Sequence, residues 1–209
     1  RSKEAAAMIR SLFLSMGELN KGARRPKAEP KTSLKKIGVI GAGFMGAGIA
    51  YVTASAGAEV VLIDRDQAAA DKGKAHSDAL ISARVAKGRA SAADNEALLG
   101  RIKASADYND LKGCDLVVEA VFEDRGVKAE TTKKAQAVLG PDVIFASNTS
   151  TLPITSLASE AIKPENFIGI HFFSPVDKML LVEIIMGEKT GDKALATALD
   201  FVRLIKKTP

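Results

Sequence analysis

Residues 37–50, IGVIGAGFMGAGIA, limit the folds open to this chain more than any other stretch. A run of small apolar residues leads straight into Gly41, Gly43 and Gly46 at G-x-G-x-x-G spacing. That spacing suits the turn between a buried strand and a helix. The first glycine permits the tight turn, the second lets backbone approach a pyrophosphate, and the third lets helix and strand pack closely. A helix opening near Phe44 aims its amides and the positive end of its dipole at such an anion. Ala42, Phe44 and Met45 complete the candidate dinucleotide loop. The motif alone is weak, because glycine-rich turns are common. Asp64 sharpens it by closing the next strand, AEVVLID, at about the 20-residue separation expected of the acid that holds the adenosine ribose. An aspartate there repels a 2′-phosphate, so the expected cofactor is NAD rather than NADP. Two alternatives stay open: Arg65 is the residue type that accommodates a 2′-phosphate, and Asp64 could serve as a helix N-cap.

The rest of the chain alternates strands with helices. Strands are expected at 34–40 and 58–64, and in CDLVVEAV, DVIFASN, ENFIGIHFF and KMLLVEII. Helices are expected at 44–56, from 66 to about 100 with a break near Gly88, at 127–139 and at 192–206. Continuous apolar strands joined by helices imply a mostly parallel sheet covered on both faces. The expected fold is α/β, Rossmann-type and doubly wound.

Composition narrows the function classes. The net charge of +5 is spread over 30 basic and 25 acidic residues, with no tryptophan, two tyrosines and no recognition motif. That argues against nucleic acid and suits an anionic small molecule. No apolar run approaches the roughly 20 residues of a membrane-spanning helix. The single cysteine, Cys114, excludes an intrachain disulfide, fits a reducing compartment and reads as a small buried apolar group. No metal site is expected. Near the N-terminus, Ala5, Met8, Ile9, Leu12 and Met16 fall at helical spacing, and KGARRPKAEPKTS follows as a polar linker. The expected division is a docking helix and linker at 1–32, its apolar face seeking a partner in the main domain or in an upstream domain absent from this sequence, and one domain at 33–209. A start at Arg1 rather than methionine agrees with a fragment.

Candidate chemistry lies in the second half. His171 sits at the end of one strand, Glu183 on the next, and Ser150 just after VIFASN. Strand ends at the carboxyl edge of such sheets are where ligands bind. A histidine paired with a carboxylate can act as a general base, and a serine hydroxyl can hold a substrate oxygen. Spacing alone leaves an ordinary half-buried histidine as an open alternative for His171. His76, in mid-helix among Lys72, Lys74 and Asp78, reads as a solvated surface residue.

Four blocks taken in order, GVIGAGFMGAGIA, LVVEAVFEDRGVK, FASNTSTLPI and HFFSPVDKMLLVEI, resemble the L-3-hydroxyacyl-CoA dehydrogenases. More narrowly, they resemble the dehydrogenase segment of multifunctional fatty-acid β-oxidation α-subunits. The resemblance spans 33–209. It implies oxidation of (S)-3-hydroxyacyl-CoA to 3-ketoacyl-CoA with NAD, with His171 as base, Glu183 orienting it and Ser150 contacting substrate and nicotinamide. It also implies that Glu123 and Lys128 line the cofactor together with the glycine loop and Asp64. Ser174 stands where many monofunctional members carry asparagine, which favours the multifunctional subtype. Implied too are an oligomeric parent enzyme with a thiolase subunit, in the bacterial cytoplasm or alternatively the mitochondrial matrix. In the family, a catalytic asparagine and a helical C-terminal domain follow shortly after the KTP with which this sequence stops, so the fragment is expected to be poorly active alone. Arg84, Lys87 and Arg89 are candidate contacts for the CoA phosphates, with a solvated helix face as the alternative. Two other readings are a non-catalytic NAD-binding module and a β-hydroxyacid dehydrogenase that does not use CoA.

Overall fold

A computed structural model describes residues 2–209; Arg1 and the side chains of Leu12 and Asn20 lie outside it. The chain opens with helix α1 (Lys3–Ile9), a π-helical stretch (Arg10–Ser15) and α2 (Met16–Asn20). The main domain then runs β1 (Lys36–Ile40), α3 (Phe44–Ser55), β2 (Glu59–Ile63), α4 (Gln67–Ala86), α5 (Ala92–Gly100) and β3 (Ile102–Ser105). It continues with β4 (Leu116–Glu119), α6 (Arg125–Val138), β5 (Ile144–Ser147), α7 (Ile154–Ala158), β6 (Phe167–Phe172), β7 (Val182–Ile185) and α8 (Asp192–Leu204).

The seven strands form one sheet in the order β3-β2-β1-β4-β5-β6-β7. β1 to β6 are mutually parallel, and β7 returns antiparallel to β6. Alternate residues of β1 face opposite sides, as strand geometry requires. Ile37 and Val39 join a core with Ile49 and Ala54 of α3, Ile81 of α4, Leu98 of α5 and Phe201 of α8. Ile40 joins a second core with Ala135 of α6 and with Ile154 and Leu157 of α7. This is the doubly wound Rossmann-like α/β arrangement, and strand order reverses direction between β1 and β4, where ligands enter such sheets.

Several expected boundaries shift for local reasons. Helix α6 begins at Arg125, before the expected 127, because Asp124 caps it by accepting from the Val127 N–H. α4 and α5 are separate, with Gly88 at φ +65° in the break and a Ser91–Asp94 capping box restarting the helix. Strand β3 was not expected. Lys103 interrupts its apolar pattern, and it pairs on one edge only, with β2. Helix α7, also unexpected, is a single turn after Pro153.

The stretch read as a polar linker is docked. Arg25 donates to both oxygens of Asp200 on α8, at 2.8 and 2.9 Å, and to the carbonyls of Pro26, Glu29 and Pro30. Thr32 N–H adds a third bond to Asp200, at 3.0 Å. The helical segment ahead of it keeps Met8, Ile9, Phe13 and Leu14 exposed; the expected apolar position Leu12 lies outside the described residues. No helix among the described residues is long and apolar enough to cross a membrane. Cys114 is buried, and burial pushes its thiol up to about 11, so it carries no thiolate near neutral pH.

Candidate active site

The site follows the carboxyl edge of the sheet. At its β1 end, Gly41 adopts φ +96°, a conformation open to glycine. A Cβ on Gly46 would stand 1.7 Å from the Gly41 carbonyl oxygen, so this helix–strand crossing tolerates only hydrogen. A Cβ on Gly43 would meet nothing within 4 Å: the backbone there is bare and faces open space. The α3 amides begin beside it, with exposed Phe44 and half-buried Met45 as the first two helical residues.

Asp64 leaves the end of β2 and accepts the Ala42 N–H at 2.6 Å, tying the acid to the glycine loop. It is not the helix cap: Asp66 fills that role for α4, accepting from Ala69 N–H. Arg65 extends into solvent with its side chain 86% exposed and pairs with Asp66 at 3.3 Å. A cavity of about 650 Å³ runs from this loop past Asp64 and Arg65 to Tyr108, Phe122, Thr131 and Lys134. The bare backbone at Gly43, the helix start and the acid on β2 together fit the pyrophosphate and ribose of a dinucleotide.

Ala120 and Val121 also wall a second cavity of about 340 Å³, bordered by Met45, Glu123, Asn148, Ser150, His171 and Ser174. His171 and Glu183 are directly opposed residues of the β6–β7 ladder. Their side chains meet at 2.8 Å, Nδ1 to Oε2. The carboxylate is an acceptor, so Nδ1 carries the hydrogen, and in the neutral imidazole that leaves the Nε2 lone pair free. Phe173 packs against the imidazole with ring centroids 4.8 Å apart.

Glu123 gathers the loop after β5. Its Oε1 accepts from Thr149 Oγ1 at 2.6 Å, Ser150 N–H at 2.9 Å and Thr151 N–H at 3.2 Å. The Ser150 hydroxyl also turns toward it, at 3.4 Å. Burial alone would raise the Glu123 carboxyl, but those hydrogen bonds and the Lys128 ammonium bring it down to about 2.

The structure thus brings Met45, Glu123, Ser150, His171, Glu183 and Ser174 to one end of the edge, and the glycines, Ala42 and Asp64 to the other. Lys128 is 1% exposed and borders neither cavity; its ammonium lies between Glu119 and Glu123 and faces the site through Glu123. One expectation needs correction: His76 is half-buried rather than solvated, its ring edge-on to Phe44 at 5.7 Å between centroids. Two residues that the sequence reading missed shape the site. Glu119, a buried charge inside the apolar run LVVEAV, was itself a visible signal. Asn148 accepts the Phe172 N–H at 2.8 Å, pinning the end of β6 beside His171, and nothing in the sequence marks it.

Fold and edge geometry define the class as a dinucleotide-binding domain. Residues 36–209 match the family described as 3-hydroxyacyl-CoA dehydrogenase, NAD binding domain, and the chain belongs to that family. The fatty acid oxidation complex subunit alpha of Pseudomonas savastanoi is 41% identical over 205 residues, covering 98% of this chain and 28% of that protein. The chain therefore spans just over a quarter of that curated relative. The (S)-3-hydroxybutyryl-CoA dehydrogenase of Ralstonia eutropha superposes with a TM-score of 0.82 at 40% identity, over 85% of this chain and 62% of that one. The dehydrogenase part of multifunctional enzyme 1 from C. elegans gives a TM-score of 0.78 at 27% identity, over 94% and 48% of the two chains.

Proposed function

We propose that this chain is the NAD-dependent, proton-abstracting half of a 3-hydroxyacyl-CoA dehydrogenase, converting (S)-3-hydroxyacyl-CoA to 3-ketoacyl-CoA. The observation that carries the reading is the His171–Glu183 contact at 2.8 Å, which opens onto the same cavity as Ser150 and Met45. Gly41, Gly43, Gly46 and the α3 amides would hold the pyrophosphate, and Asp64 the adenosine ribose. Bound NAD⁺ supplies the hydride acceptor. His171 Nε2 takes the proton of the substrate 3-hydroxyl as hydride leaves C3. Glu183 fixes the imidazole tautomer and stabilises the imidazolium that forms. Ser150 orients the substrate oxygen, while Ser174 and Met45 border the nicotinamide end.

Likeness to the α-subunits of fatty acid oxidation complexes extends the proposal. Residues 1–32 join this domain to an upstream one, and the parent enzyme works in an oligomer with a thiolase subunit in the bacterial cytoplasm. Arg84, which donates to Tyr51 Oη at 3.4 Å, stands with Lys87 and Arg89 as candidate contacts for CoA phosphates.

Calorimetric titration with NAD⁺, followed by NADH oxidation with acetoacetyl-CoA in the same preparation, tests the reading. Saturable NAD⁺ binding by this chain is expected, and in an enzyme carrying this domain turnover should fall by about 10² to 10⁴-fold in His171→Gln. A folded chain that ignores NAD⁺ sinks the cofactor assignment. Turnover on 3-keto acids lacking CoA, at equal efficiency, sinks the substrate assignment.

A further inference from the structure

Glu119 ends β4 with 1% of its surface exposed. Its Oε1 accepts from Lys128 Nζ at 2.8 Å and from Val121 N–H at 2.7 Å, and its Oε2 accepts from Ser147 Oγ at 2.7 Å. The same Lys128 ammonium lies 3.2 Å from Glu123 Oε2. Obligate donors reach both side chains, the Lys128 ammonium in each case, with the Val121 amide at Glu119 and the Ser150 and Thr151 amides at Glu123, an arrangement built to receive carboxylates. The unit holds two negative charges against one positive.

Stability does not explain such a unit. The desolvation of a fully buried pair offsets much or all of its attraction, and an apolar strand end packed on α6 would serve the fold as well. Of the three side chains, Glu123 alone opens to a cavity, with 32% of its side chain exposed, against 1% for Glu119 and 2% for Lys128. The surplus negative charge is delivered there, between Ala120, Ser150, His171 and Met45. Five donors from the Thr149–Thr151 turn hold it in place.

We propose that Glu119, Lys128 and Glu123 form a fixed anionic unit that discriminates between the two redox states of the cofactor. A nicotinamide ring carries a positive charge when oxidised and none after accepting hydride, so a preset negative charge beside it favours the oxidised form. This rests on the reading that NAD occupies the crevice. Glu123 is the specificity-determining residue. Glu119 acts through Lys128 as a positioning residue: it takes up the ammonium's charge, so that Glu123 is not neutralised.

The test compares dissociation constants for NAD⁺ and NADH in the wild-type chain, Glu119→Gln and Glu123→Gln at one ionic strength, by calorimetry and NADH fluorescence. Each variant removes one negative charge. The expected result is a rise of about tenfold in the ratio Kd(NAD⁺)/Kd(NADH), from loss of NAD⁺ affinity, with Glu123→Asp retaining the wild-type ratio. Equal weakening of both forms would mean the unit only shapes the loop, and the proposal fails. An unchanged ratio in variants that bind both forms also defeats it while leaving the cofactor reading intact. Wild-type chain that is folded and binds neither form removes both. Should Glu119→Gln fail to fold by circular dichroism, Glu123→Gln decides alone, because its side chain lies at the surface.

Discussion

Arg25 and Asp200 are 175 positions apart and joined by a two-pronged ion pair at 2.8 and 2.9 Å. The two side chains are 15% and 8% exposed, and the three carbonyls around the guanidinium leave it few donors to spare. A segment rich in lysine, proline and small residues is thereby fastened to α8. Burial of Asp200 opposes its ionisation, but the bonds from Arg25 and Thr32 prevail and hold its carboxyl below the ordinary value. Arg25→Ala strands a mostly buried carboxylate and is expected to cost about 2 kcal/mol. It should also open residues 21–32 to protease. Urea midpoints and limited proteolysis check this, and in a double-mutant cycle with Asp200→Asn the two losses should not add.

The two glycines of the loop separate folding from binding. Gly46→Ala would place a methyl group 1.7 Å from the Gly41 carbonyl oxygen, so β1 and α3 must move apart. A loss on the order of 3 kcal/mol is expected. Gly43→Val starts from a Cβ that meets no heavy atom within 4 Å and should leave the melting temperature almost unchanged, yet fill the space offered to a pyrophosphate. Thermal melts read beside NAD⁺ titrations distinguish the two. A Gly43→Val chain that binds NAD⁺ as tightly as wild type would place the phosphates elsewhere.

Much of this edge was legible in the sequence because each part had a local cause. The glycine spacing, the acid ending the second strand, and apolar strands of four or five residues are all one-dimensional signals. Nothing in sequence spacing shows that β7 turns back along β6, and only that antiparallel register sets His171 opposite Glu183. Asp64 was readable as the acid that closes the second strand, but its bond to the Ala42 amide depends on β1 and β2 lying side by side. Lys128 was marked only by the resemblance; its place between two carboxylates depends on β4 and the loop behind it coming together in the folded chain. β3 escaped because edge strands need little apolar alternation. The docked linker escaped because one arginine among many basic residues finds its partner only in the folded chain.

Acid should weaken the loop after β5. Glu123 is held near 2 in the folded protein against its ordinary 4.5. A depressed carboxyl contributes stability that is fully present above the unfolded value and lost as pH falls toward the folded one. The window is therefore pH 4.5 down to 2. Water reaches 32% of the side chain, so screening reduces the loss to the order of 1 kcal/mol. Comparing urea midpoints of wild type and Glu123→Gln at pH 6 and pH 3 checks it. The gap between them should shrink at the lower pH, and a constant gap would mean that the hydrogen bonds do not favour the charged form.

The dyad makes the sharpest catalytic prediction. His171 is 17% exposed and Glu183 50%, so the pair is open on the side where a substrate would enter. In an enzyme carrying this domain, His171→Gln removes the base and should lower kcat by about 10² to 10⁴-fold without altering NAD⁺ affinity. Glu183→Gln keeps an oxygen that can accept the Nδ1 hydrogen but loses the charge that stabilises imidazolium. Its kcat should fall by about 10²-fold at an unchanged KM for the acyl-CoA, since the missing interaction matters only as the proton moves. Steady-state kinetics paired with NAD⁺ titration of each variant decides the matter. If Glu183→Gln raises KM and leaves kcat alone, the carboxylate holds substrate instead, and the role of orienting the histidine passes to Phe173, packed against the ring at 4.8 Å.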